Sequence, residues 1–270
     1  MKPDTTIIKY PRTPHIEGSR IQPGDEDLSQ RSFREIAGRH IVIEEKIDGA
    51  NTAVSFDPAG KLLLQSRGHY LTGGYRERHY NLFKQWATIQ RQALWNALGS
   101  RYVVYGEWMY AKHSIYYDAL PHYFMEFDIL DRETDRFLDT PSRRAITEGL
   151  PVCSAAVLGE GKFARMEDVL KYLGDSRYIT ERHIEHLRAA AERERQDPDR
   201  ICRETDHRRT MEGLYIKVEE GGEVVDRMKF VRATFLQVVE ESRTHWLERP
   251  IIPNGLTRPV EALFLPTLEG

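Results

Sequence analysis

Cysteine is nearly absent. Cys153 and Cys202 are the two in 270 residues and lie far apart, which argues against a disulfide framework or a structural zinc site and points to a reducing, cytoplasmic setting. No apolar run approaches the ~20 residues that span a bilayer, and the opening stretch MKPDTTIIKYPRTP lacks a signal peptide's apolar core, so no membrane association is expected. Charge of one sign is not in excess either. Against 42 Asp+Glu stand 39 Lys+Arg, a net charge of -3, so any surface for a polyanion has to be a local patch. Lysine itself is scarce, 10 of those 39 basic residues, which makes the position of each one informative.

What is present is an ordinary globular composition, 40% apolar, long enough for one large domain or two modest ones. A short helix is expected over Ser32–Ala37 behind a Ser29 cap. HIVIEEK reads as a strand, and TAVSFDP and KLLLQSR as two strands joined at Asp57–Gly60. Apolar residues at helical spacing from Tyr80 to Leu98 predict a helix closed by Gly99. RYVVYGEWM and YFMEFDILD read as further strands, Glu181–Gln196 as a charged helix before an Asp–Pro stop, and GLYIKVEE with VVDRMKFV as a hairpin around Gly221–Gly222. A last helix is expected near Thr234–Leu247. Strands in hairpin-like groups without regular βαβ alternation indicate an α+β fold of mostly antiparallel sheets flanked by helices.

Lys46-Ile47-Asp48-Gly49 closes the first strand, so its lysine can present an amine at a sheet edge. Taken alone such a string is a weak signal, equally a surface turn of the kind Asp–Gly favours. Further strings follow in order: Glu45 before and Asn51 after it, Arg67 in QSRG, Glu107 in YGE, Phe127 in MEFDIL, Glu212 and Lys217 in EGLYIK, and Arg227 and Lys229 in RMK. Singly, Glu107 and Glu212 could be solvated strand-edge charges, Phe127 a core ring and Arg67 a surface cation. As an ordered set they favour a functional reading, since three of the ten lysines fall within it.

In order and spacing these strings resemble the motifs of the covalent nucleotidyltransferases, the ATP-dependent DNA and RNA ligases and mRNA capping enzymes. The K-x-x-G-x-N form is most similar to nick-sealing phage RNA ligases. The resemblance implies an ATP-dependent RNA ligase active in RNA repair. Residues 1–230 would form its adenylation domain and 231–270 a short C-terminal helical tail. About 40 residues after Lys229 are too few for the OB barrel of DNA ligases and capping enzymes, which weakens those alternatives. The intact Lys46 argues against a non-catalytic nucleic-acid-binding module of the same fold.

The resemblance makes Lys46 the nucleophile towards the α-phosphate of ATP, with Lys217 and Lys229 as catalytic partners. It places Glu45, Asn51, Arg67, Glu107, Phe127, Glu212 and Arg227 on the nucleotide, with Phe127 as the adenine-stacking ring and Glu107 on the ribose. Glu212 would also meet Mg²⁺, replaceable by Mn²⁺. Arg227 departs from a family position that is usually lysine, and Arg227→Lys is expected to be tolerated. An amine attacks phosphorus only when unprotonated, so Lys217, Lys229 and Arg227 are expected close enough to lower the Lys46 pKa. Basic residues should therefore converge around Lys46, with acidic ones elsewhere.

RNA is the implied partner, with an end-healing kinase or phosphatase as a further expectation from the small size. Arg67, Lys112 and His113 are candidate RNA contacts. His183 and His186 are expected to be solvated, Gly159–Lys162 to make a turn, and Arg203–Arg209 to be a solvated face.

Overall fold

A computed structural model describes residues 7–21, 25, 27–235 and 249–265. Ten strands and six α-helices follow one another along these residues: β1 His40–Lys46, β2 Ala50–Phe56, β3 Leu62–Ser66, α1 Asn81–Ile89, α2 Arg91–Leu98, β4 Tyr102–Trp108, β5 Phe124–Asp131, β6 Arg136–Phe137, α3 Thr140–Thr147, β7 Cys153–Ser154, β8 Val157–Lys162, α4 Met166–Leu170, α5 His183–Arg193, α6 Pro198–Arg203, β9 Gly213–Glu220 and β10 Glu223–Val231. One sheet has the order β10-β9-β1-β8; the other runs β3-β2-β4-β5-β6, with the two-residue β7 beside β5. Every pair is antiparallel except β5–β7. The α+β architecture expected from the strand grouping is the one found, and no OB barrel occurs among the described residues.

Alternation along the first sheet separates its two faces. Ile41 and Ile43 of β1, Leu214, Ile216 and Val218 of β9, and Met228 and Phe230 of β10 form an apolar face. It packs on Phe33, Ile36, Met166 and Val169. Cross-strand partners share a face, so the pairings Glu44↔Tyr215↔Lys229 and Val42↔Lys217↔Arg227 put the charged residues on the opposite one. There they meet Asp128 of the second sheet, whose carboxylate pairs with Lys217 (3.2 Å) and Arg227 (3.8 Å). The site forms along this polar seam.

Several local expectations are corrected. The cap of the first short helix, a single 3-10 turn at Phe33–Glu35, is Ser32: its side chain accepts from Arg34 N while Glu35 reaches back to Ser32 N, a reciprocal arrangement Ser29 could not make. The helix read from Tyr80 to Leu98 is two helices broken at buried Gln90. That side-chain amide leaves the helix to donate to Leu263 O and Leu265 O. Gly159–Lys162 is not a turn but part of β8, pairing with β1 from Ile43↔Gly159 to His40↔Lys162, because the β1 edge needs a backbone partner. The charged helix is shorter than expected, ending at Arg193 ahead of Asp197–Pro198, and that pair starts the next helix, Asp197 capping α6. The helix expected near Thr234–Leu247 falls mostly outside the described residues, whereas 249–265 return to the body, where Leu263 joins the main core. Among the described residues no helix is long and apolar enough to cross a membrane.

Candidate active site

A cavity of about 1160 Å³ opens between the sheets. Lys46 reaches it because β1 ends there, and Asp48 fixes the turn that follows. The Asp48 carboxylate accepts from Ser114 N (2.7 Å) and Ile115 N (3.1 Å), and its own N–H donates to Tyr117 Oη (2.8 Å). Asn51 and Glu107 are direct cross-strand partners of β2 and β4, so both project into the same space. Glu212, just before β9, sets Oε1 2.7 Å from Lys46 Nζ.

The electrostatics reverse one expectation. Burial works to lower the Lys46 pKa, but Glu212, Glu107 and Asp48 outweigh it and hold the ammonium above its ordinary value. Acidic residues dominate around the amine, and of the three expected cations only Lys229 comes near it. Register supplies the reason. Lys46 pairs with Gly213, and Lys217 lies four residues further along β9, roughly 13 Å at the strand rise. Arg227 is the cross-strand partner of Lys217 and shares that distance. Lys217 is fully buried, tied to Glu44 (2.9 Å), Asp128 and the Phe127 carbonyl, and neither it nor Arg227 lines the cavity. Arg227 instead stacks on Phe137 (4.0 Å to the ring centroid) and Tyr10 (5.3 Å). Lys229 alone of the three reaches the cavity; burial and Lys46 lower its pKa while it pairs with Asp25.

The other expected site residues divide similarly. Phe127 lines the cavity, edge-on to Tyr10 with ring centroids 5.0 Å apart, and 6.2 Å from the Tyr215 ring. Arg67 is exposed at the cavity wall. The Glu45 carboxylate is turned away, accepting from Ser176 Oγ (2.5 Å) and Arg177 N (3.2 Å), so only the rest of the residue borders the cavity. Lys112 does not face a nucleic acid: buried, with its pKa lowered to about 8 by burial and Arg249, it donates to His113 O and Glu204 O. His113 does line the cavity, Nδ1 3.6 Å from Asp48 Oδ1. His183 is buried rather than solvated, its ring bonded to Thr180 O and His207 O, while His186 pairs with Asp118. The Arg203–Arg209 stretch is solvated in part, but Thr205 and Asp206 within it are buried.

Sequence reading missed the N-terminal segment. Its backbone bonds to β10 through Ile16 N to Lys229 O and Lys229 N to Pro14 O. It carries Tyr10 and Thr13 into the cavity wall, both bonded to Tyr215 Oη. It also brings Asp25 to Lys229; although burial opposes it, Lys229 and Arg12 hold the Asp25 carboxyl at about 2.

The fold has counterparts among known proteins. The profile of the RNA ligase family matches residues 39–231. The chain belongs to the RNA ligase family. No curated protein sequence matches it. A variant of Naegleria gruberi RNA ligase with ATP and Mn has a similar structure at TM-score 0.53 and 15% identity, the alignment covering 86% of this chain and 58% of that one. The same enzyme with pyrophosphate gives 0.51 and 15%, covering 87% and 58%. This family member thus shares its fold with part of those ligases and spans under two thirds of their length.

Proposed function

We propose that this protein is an ATP-dependent RNA ligase that joins a 5′-phosphate to a 3′-hydroxyl through a lysyl-AMP and an adenylylated RNA end. The observation that carries the reading is the amine of Lys46 in the cavity between the sheets, with Glu212, Glu107 and Lys229 beside it and Phe127 in the wall.

In the first step Lys46 leaves Glu212, gives its proton to solvent and attacks the α-phosphorus of ATP. A P–N bond forms and pyrophosphate leaves. An oxygen of the RNA 5′-phosphate then attacks that phosphorus, and the Lys46 nitrogen departs and regains a proton. Finally the 3′-hydroxyl attacks the 5′-phosphorus, losing its proton as AMP is expelled. Lys229 offsets charge on the phosphoryl oxygens, and Arg67 holds a phosphate of the RNA end. Phe127 and Tyr215 flank the base, and Glu107 and Asn51 face the ribose and phosphates.

A divalent ion, Mg²⁺ or Mn²⁺, fits beside Glu107 and Glu212. Glu107 has a buried Oε2 with no hydrogen-bond partner among the described residues, and burial together with Glu212 and Asp48 pushes its carboxyl to about 8 against the pull of Lys46. No three acidic or histidine residues among those described form a complete metal site, so phosphate oxygens and water would supply the remaining ligands. When bound, the ion would neutralise phosphate charge. RNA ends of other chemistry would first need a kinase or phosphatase.

Incubation with α-labelled ATP and Mg²⁺ followed by denaturation tests this. Label is expected on the wild type and not on Lys46→Ala; a wild type that retains none with any nucleotide overturns the reading. Nicked duplexes with an RNA or a DNA 3′-hydroxyl strand test substrate class, and equal sealing of both would overturn the RNA preference.

A further inference from the structure

Tyr75 is 80% exposed, yet it borders the same cavity as Lys46. A lone exposed ring is ordinary on a protein surface. This one is held in place. The Arg78 guanidinium lies 5.2 Å from its centroid and donates through Nη1 to Tyr75 Oη at 2.8 Å. Arg78 is anchored in turn, donating to Arg249 O at 3.2 Å.

The segment that delivers the ring is built as well. Gly73 and Gly74 have φ of +117° and +122°, a region L side chains rarely adopt, and nothing lies within 4 Å of where a Cβ would sit. Glycine is therefore required there by the backbone path and not by crowding. Buried Glu77 fixes the base of the loop, accepting from Thr72 N (3.1 Å) and Gly73 N (2.9 Å) and pairing with Lys84 (2.9 Å). Arg67 lines the same cavity, exposed and with no hydrogen bond or ion pair among the described residues. A cation for phosphate and a braced ring for a π-face together match the two parts of a nucleotide. The cavity also exceeds the ~300–1000 Å³ typical of small-molecule sites, leaving room for a polynucleotide end beside ATP.

We propose that Tyr75, braced by Arg78, is a stacking platform for the terminal nucleobase of the polynucleotide substrate. The assignment rests on the RNA-ligase reading above, but binding measurements test it without any chemistry.

The probes are short 5′-phosphorylated oligoribonucleotides, intact or abasic at the 5′- or the 3′-terminal nucleotide, followed by fluorescence anisotropy at fixed salt. Tyr75→Ala is expected to weaken binding of the intact oligonucleotide by ~5- to 150-fold, the range for losing one stacked base, and Tyr75→Phe to restore it. Removing the base from one end should cost the wild type a similar factor and cost Tyr75→Ala nothing further; the end that shows this coupling is the one seated on the ring. Additive losses at both ends, or wild-type affinity in Tyr75→Ala, overturn the proposal. So does a Tyr75→Ala protein that binds RNA normally but needs more ATP to self-adenylylate, because the ring would then serve the adenine of ATP. If the wild type forms no lysyl-AMP, the ligase reading falls, while the anisotropy comparison still decides the role of Tyr75.

Discussion

Lys46 Nζ and Glu212 Oε1 sit 2.7 Å apart, at the meeting of the β1 end and the β9 start, the carboxylate side chain only 2% exposed. Burial pushes the Glu212 pKa up and Lys46 pulls it back, so the pair is mutually dependent. Lys46→Ala should lower stability towards urea by about 1–3 kcal/mol, because it leaves a buried carboxylate without its counter-charge. The double variant Lys46→Ala/Glu212→Gln should recover most of that loss. Additive losses in the double variant would show that the pair is not coupled.

Arg227 and Lys229 share one face of β10 but do different work, and their variants should separate accordingly. The planar guanidinium of Arg227 stacks on Phe137 and Tyr10 beside Asp128, a geometry an ammonium cannot reproduce. Arg227→Lys is therefore expected to cost about 1–2 kcal/mol in stability, contrary to the tolerance expected from the family's usual lysine. Lys229→Ala should also lose stability, because it takes the counter-charge from buried Asp25, but unlike Arg227→Lys it should lose about 10²-fold or more in lysyl-AMP formation. Thermal melts and label retention on the same preparations check both, and the reverse ranking in label retention would show that the roles are exchanged.

Gly213 follows Glu212 for a steric reason. A Cβ there would overlap the Phe230 carbonyl on the adjoining strand and lie 3.1 Å from Val231 Cα. Gly213→Ala has to push β9 and β10 apart, at a cost of at least about 2 kcal/mol, and shifts Glu212 with them. Urea unfolding within 0.5 kcal/mol of the wild type would mean that the strands yield freely.

The strands and the identity of Lys46, Glu107, Glu212 and Lys229 were legible because local alternation and short strings carry them. The partition of the other lysine was not. Lys217 looks equivalent to Lys229 in the sequence, and only the pairing Lys46↔Gly213 reveals that it lies four residues too far along β9. Register is a long-range property set by the partner strand. The contribution of Tyr10, Thr13 and Asp25 was hidden for a related reason: the N-terminal segment has no periodicity, and its contacts to Tyr215, Asp128 and Lys229 join residues about 200 or 100 positions apart. Gln90 shows the limit within a helix, where a buried side chain that bonds the C-terminal segment overrides unbroken apolar spacing.

Acid should destabilise this protein through His122, buried edge-on to Trp86 at 5.3 Å between ring centroids. Burial lowers its pKa to about 4 against a smaller opposing effect of the Phe124 carbonyl, 3.2 Å from Nδ1; Nδ1 accepts from Phe124 N at 2.8 Å, a bond only the neutral ring can make, and Nε2 has no hydrogen-bond partner among the described residues. The unfolded chain takes up this proton near pH 6.5 and the folded one only near 4. Between those values the unfolded state binds more protons, so stability falls as pH falls, by ~1.4 kcal/mol per pH unit and about 3 kcal/mol in all. His122→Asn keeps an acceptor for Phe124 N–H and removes the titrating ring. Its stability measured against pH should therefore be flatter across this window than that of the wild type, whatever its value at pH 7. Parallel curves for the two proteins would place the acid sensitivity on other groups.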